Sequence, residues 1–83
     1  MSTAFVTVWD EVTNTAAQEY VQFSARGKKL FSECHTRVIA AACKAFGIKG
    51  FKAVGTIPVN SSSFVAYGFI GNNCVVFCAK GHW

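Results

Sequence analysis

Two thiols and an imidazole recur at four-residue intervals near the end of the chain, Cys74-x3-Cys78-x3-His82, and a second thiol–imidazole pair, Cys34-His35, lies in its middle. Thiolate sulfur and imidazole nitrogen are zinc ligands, so a Cys/His metal-binding protein is one reading of these residues. The spacing argues against it, because ligands four residues apart on a straight strand diverge by about 13 Å and no Cys-x2-Cys occurs. Disulfides are restricted in the same way. Cys34 and Cys43 would lie about 13 Å apart along a helix, and Cys74 and Cys78 about 13 Å apart along a strand, both beyond the ~7 Å Cα separation a bridge tolerates. Any bridge would tie helix to strand. With no secretory leader the expectation is four reduced, mostly buried thiols acting as small hydrophobes, with no metal and no cofactor.

Nucleophilic catalysis fares no better. Adjacent Cys34 and His35 point about 100° apart on a helix, which keeps the base out of reach of the thiol. Asp10 and Glu11 would alternate across a strand, so they build no acid–base pair, and Gly47-x2-Gly50 follows a helix instead of opening one, so it cradles no phosphate. The expectation is a non-enzyme with no catalytic residue.

The basic residues carry more information. The first 25 residues contain Asp10, Glu11 and Glu19 and no Lys or Arg, whereas the remainder holds all eight basic residues and Glu33 as its one acid, for a net charge of +4. Arg26, Lys28, Lys29, Arg37 and Lys44 are the candidate binding set, a basic face that favours a partner of negative charge. Nucleic acid is one such partner, with exposed aromatics to stack bases; neither a ribonucleoprotein aromatic motif nor a helix-turn-helix pattern accompanies the charges. A solvated helix face with turn lysines is the bland alternative.

The elements that must position these residues are legible in part. Glu33–Phe46 is the strongly helical stretch: Cys34, Val38, Ala41, Ala42 and Ala45 fall on one side and Arg37, Lys44 and Glu33 on the other. Ser32 is the expected N-cap and Gly47 the left-handed stop. A start at Ser24 would gather Arg26, Lys29, Arg37 and Lys44 into one stripe, at the expense of cations against the positive end of the helix dipole. Ala4–Val8 reads as an opening strand reaching as far as Val12, followed by a turn at Thr13–Thr15. Residues 16–25 suit either a strand or a helical turn, and a second strand closing a loose hairpin is favoured. Strands are expected at Lys52–Ile57, ending at Pro58, at Ser63–Ile70, and at Cys74–Ala79, with turns at Asn60–Ser62 and Gly71–Asn73.

Val65, Tyr67 and Phe69 point to one face of the longest strand, and Phe64, Ala66 and Ile70 to the other. Both faces are apolar, and one helix covers only one of them. The other must meet a second subunit, a binding partner or the N-terminal segment. Size sharpens the point, since a chain of 83 residues buries only roughly 60–65% of its unfolded surface while 52% of its residues are hydrophobic. No apolar run approaches the ~20 residues of a membrane helix, and the expected location is the cytoplasm.

No motif identifies a family. The order of elements, a hairpin, an Ala-rich helix and antiparallel strands within about 80 residues, resembles several phage-encoded inhibitors of bacterial defence, including some anti-CRISPR proteins. The likeness implies a small, non-enzymatic protein that binds a host protein complex stoichiometrically, and it transfers no functional residue; many such inhibitors are acidic where this chain is basic. The chain is therefore expected to form one α+β domain over residues 1–83, a principal helix on a four- to five-stranded antiparallel sheet. Its function would be protein binding, with a homodimer or a nucleic-acid partner as further options.

Overall fold

Alternating residues send an apolar set to each side of the strands at Ser63–Ile70 and Asn73–His82, and a helix covers one of the two sides. In the computed structural model, which describes residues 2–82 and not the side chain of His82, the strands are β1 (Ser2–Asp10), β2 (Thr15–Phe23), β3 (Phe51–Asn60), β4 (Ser63–Ile70) and β5 (Asn73–His82). They form one antiparallel sheet in the order β2-β1-β5-β4-β3. The one α-helix among the described residues, α1 (His35–Phe46), follows a 3-10 turn at Phe31–Cys34 and carries the chain from one sheet edge to the other. This is the expected α+β fold.

The N-terminal residues supply β1 and β2, so they extend the sheet and do not roof it. Of residues 16–25, those up to Phe23 resolve as strand and Ser24 and Ala25 lie beyond its end: Val21 and Phe23 alternate into the core while every residue from Thr15 to Phe23 pairs with β1. The hairpin is tight, closed by the Val12 N–H donating to Asp10 Oδ1 at 2.9 Å and by Asn14 at a φ of 53°, a conformation Asn tolerates. Between β4 and β5 the turn is the two residues Gly71 and Asn72, with Gly71 at a φ of 60°.

The core lies between the sheet and α1. Ala4, Val6, Val8, Val21, Phe23, Phe64, Ala66, Val75, Phe77 and Ala79 face Phe31, Cys34, Val38, Ile39 and Ala42. Helical phase differs from the expectation in one respect, because Ile39 is buried and Ala45 is exposed. The larger side chain gains more from burial, and α1 rolls to cover it. Ser32 is not an N-cap. The Leu30 carbonyl instead accepts from the Glu33 N–H at 3.1 Å and the Cys34 thiol at 3.7 Å, which tightens the first turn into 3-10 geometry. Gly47 ends α1 as expected, at a φ of 68°, with the Ile48 N–H donating to the Cys43 carbonyl at 2.8 Å.

Phe31 fixes this start. Its ring lies edge-on to Phe23 at 5.6 Å and stacks on Phe64 at 5.3 Å. On its sheet side it rests on Gly81, where a Cβ would overlap the ring atoms Cγ, Cδ1 and Cε1. The loop at Ser61–Ser62 ties both together: the Phe31 N–H donates to Ser61 O at 3.1 Å and the Gly81 N–H to Ser62 O at 2.9 Å.

The sheet edges differ. β3 carries Pro58 and Lys52 and breaks register twice, between Ala53 and Gly55 and between Pro58 and Asn60, all features that spoil an edge for further pairing. β2 keeps an unbroken nine-pair register with β1 and contains no Pro or Lys.

Candidate functional site

On the side of the sheet away from α1 lie Phe5, Thr7 and Trp9 of β1, Val65, Tyr67 and Phe69 of β4, and Cys74, Val76, Cys78 and Lys80 of β5, as the strand registers dictate. No element among the described residues covers them. Exposures are large for apolar groups: Trp9 and Tyr67 are each 37% exposed, Phe69 42%, Ile57 56% and Tyr20 68%. Single exposed apolar residues are ordinary; here Trp9, Val76, Tyr67 and Phe69 lie side by side on three adjacent strands, among Thr7, Gln18, Lys80 and Lys52.

The field has relief. Across the strands run levels set by the pairing: Tyr20, Phe5, Lys80 and Ser63; then Gln18, Thr7, Cys78, Val65 and Ile57; then Ala16, Trp9, Val76, Tyr67 and Gly55; then Cys74, Phe69 and Lys52. The second level is short in the centre, at Thr7, Cys78 and Val65, and is the floor of a shallow groove of about 340 Å³ walled on one side by Phe5 and Lys80 of the first level and at the β2 end by Gln18. The next two rise as an aromatic ridge of Trp9, Tyr67 and Phe69. Tyr67 leans towards β3 and occupies the space a side chain at position 55 would take, 2.6 Å from Tyr67 Oη to the nearest possible Cβ. Phe5 and Tyr20, direct partners across β1 and β2, pack with ring centres 4.9 Å apart.

The basic set behaves differently. Arg26, Lys28 and Lys29 sit exposed on the loop after β2, and Lys44 is exposed on α1. Arg37 is engaged, its Nη1 donating to the carbonyls of Ser24 and Arg26, both at 2.8 Å. Its guanidinium clips this loop to the helix. Lys44 lies two turns further along, about 10.5 Å away on the same side of α1. The structure thus gathers Arg37 with the loop backbone and leaves Lys44 at a distance, a looser basic patch than a stripe.

The thiols form no site. Among the described residues all four cysteines are free, with Cys34 buried, Cys43 and Cys74 half-buried and Cys78 exposed; the expectation of mostly buried thiols fails at Cys78, because its strand position faces the open side. Burial pushes the Cys34 thiol above its ordinary value, against the opposing pull of Arg37 and Lys28, and burial likewise raises Cys43. No group of three His, Cys, Asp or Glu able to hold a metal occurs among the described residues; the His82 imidazole lies outside them. His35 Nδ1 lies 3.2 Å from the Ser32 carbonyl and its ring meets Phe64 edge-on, the setting of a boundary residue at the helix start.

No family model, no curated protein and no solved structure matches this chain. No helix of the described residues is long and apolar enough to cross a membrane. Trp9 and Phe5 belong to the open surface, and sequence reasoning did not join them to Tyr67 and Phe69. The signal was present in the alternation Phe5-Thr7-Trp9, but joining it to β5 and β4 needs the long-range β1–β5 pairing.

Proposed function

We propose that this chain is a small non-catalytic protein-binding module that docks through the open face of its sheet. The supporting observation is the uncovered aromatic field of Trp9, Tyr67 and Phe69 beside the groove at Cys78. Protein interfaces favour this composition, with aromatic anchors at the centre and charges at the rim. A stoichiometric inhibitor of a host defence complex, of the kind the order of elements resembles, is the most specific form of this reading. Nucleic-acid binding has less support, because Arg37 of the five candidate cations is tied through Nη1 to two backbone carbonyls.

Cys78 provides the test. Its alkylation is followed by mass spectrometry in dilute purified protein and in concentrated cell lysate. Protection of Cys78 in lysate, lost on Val76→Lys but kept in a Lys28→Glu/Lys29→Glu/Lys44→Glu variant, supports docking through the sheet. Cys78 equally and fully reactive in every setting refutes it. A steep salt-dependent affinity for generic RNA that vanishes in the triple variant would transfer the function to the basic patch.

A further inference from the structure

We infer that the occupant of the open face is a second copy of this chain, packed sheet to sheet about a two-fold axis that runs across the strands between the level of Cys78 and the level of Val76. This rests on reading the open face as a protein-docking surface, and it names the partner. Aligned sheets pack with strand directions within about 30° of each other and roughly 10 Å apart. An axis in that position lays each strand over its own copy with its direction reversed, and so exchanges the groove levels with the ridge levels.

The exchange matches size with size. On β1 it sets Trp9 over the partner's Thr7. On β4 it sets Tyr67 over Val65 and Phe69 over Ser63, and on β5 Val76 over Cys78, as the registers require. A large ring meets a shorter side chain at Trp9–Thr7, Tyr67–Val65 and Phe69–Ser63, which lets the two layers interdigitate there; Val76 and Cys78 are of similar size, and Phe5 falls over the partner's Glu11 at the rim. The ridge of one copy fills the groove of the other, twice.

Charge agrees. Lys80 lies at the groove end of β5, and the same rotation carries it over the partner's Cys74. Glu11, the first residue of the turn after β1, is level with Cys74, since its N–H donates to the Cys74 carbonyl at 3.4 Å. Each Lys80 thus arrives beside an opposing Glu11, while the two Lys80 residues stand about 20 Å apart, separated by six residues of strand rise. The area is also sufficient. Five strands at about 4.8 Å spacing and about 30 Å length present roughly 700 Å² per copy, or about 1,400 Å² in total, within the range of stable interfaces.

Sedimentation and light scattering across a concentration series give the mass. The expected result is a species of twice the 9.0 kDa chain mass, with Cys78 alkylation slowing as concentration rises. Val76→Lys should convert it to a monomer whose circular dichroism is unchanged. Lys80→Glu and Glu11→Lys should each raise the dissociation constant about three- to tenfold, through two symmetry-related contacts, and the double exchange should restore it. A dimer that survives Val76→Lys, or single-charge effects that the exchange does not rescue, overturns this geometry and points to β2 edges or another surface. A monomer at all concentrations whose Cys78 is nevertheless protected in lysate overturns the second copy and leaves the docking surface standing. A monomer reactive in both settings overturns both.

Discussion

Gly81→Ala tests the packing at the end of the core. The added methyl group would enter the ring of Phe31, which is 1% exposed and held between Phe23 and Phe64. Alanine in a strand is by itself better than glycine by about 0.5–1 kcal/mol. Overpacking typically costs about 1–3 kcal/mol, and the upper end applies because the ring has aromatic neighbours on two sides and the Ser61–Ser62 loop pins both backbones. The net is a destabilisation of about 2 kcal/mol out of roughly 4–12 for a domain of this size. Thermal unfolding followed by circular dichroism should show the midpoint fall by about 8–16 °C. Phe31→Leu in the same background should recover part of the loss, giving a coupling of at least about 1 kcal/mol in a double-mutant cycle. A Gly81→Ala protein within about 0.5 kcal/mol of the parent, or strictly additive effects, would refute the claim that the ring occupies this space.

Arg37→Met keeps the aliphatic stem but removes two charge-assisted hydrogen bonds; about 1 kcal/mol should be lost at this exposed position, with faster tryptic cleavage at Arg26–Lys29 as the local readout. Gly47→Ala forces a side chain into left-handed geometry and should cost about 1–2 kcal/mol in urea unfolding. The raised Cys34 and Cys43 thiols keep their protons in the folded chain at a pH where the unfolded chain has lost them, so stability is complete below their ordinary value of 9.0 and declines as pH rises above it; denaturation midpoints measured from pH 7 to pH 10 check the sign, and Cys34→Ala/Cys43→Ala should flatten the decline. Alkylation of the folded chain at concentrations too low for two copies to pair should label Cys78 first and Cys34 last, the latter at the rate of unfolding.

Local chemistry made some elements legible from sequence. Ser63–Ile70 emerges as a strand with the expected bounds because Asn60–Ser62 and Gly71–Asn73 punctuate it, and Gly47 stops the helix because it alone there accepts positive φ cheaply. What escaped was set by distant residues. Ile39 turns inward and Ala45 outward because the sheet offers depth under one and not the other. Arg37 looked like part of a binding face because nothing in its neighbours announces the carbonyls of Ser24 and Arg26. The apolar character of both faces of β4 and β5 was plain, but which one the helix would cover depended on the crossover from β2 to β3, a property of topology that no local pattern encodes. The same holds for Gly81, whose need for a missing side chain follows from a ring fifty residues earlier in the chain.

The unequal borders of the sheet set a limit on what this protein can build. Growth into a fibre by backbone pairing needs a donor border and an acceptor border that repeat without end. Here Pro58 and the two register breaks disable one border of each molecule, so stacking of this kind halts as soon as two intact β2 borders have met. With one border spoiled in this way, edge-to-edge growth of a chain this rich in apolar β-structure should stop at pairs, and replacing Pro58 while straightening that strand should let it continue.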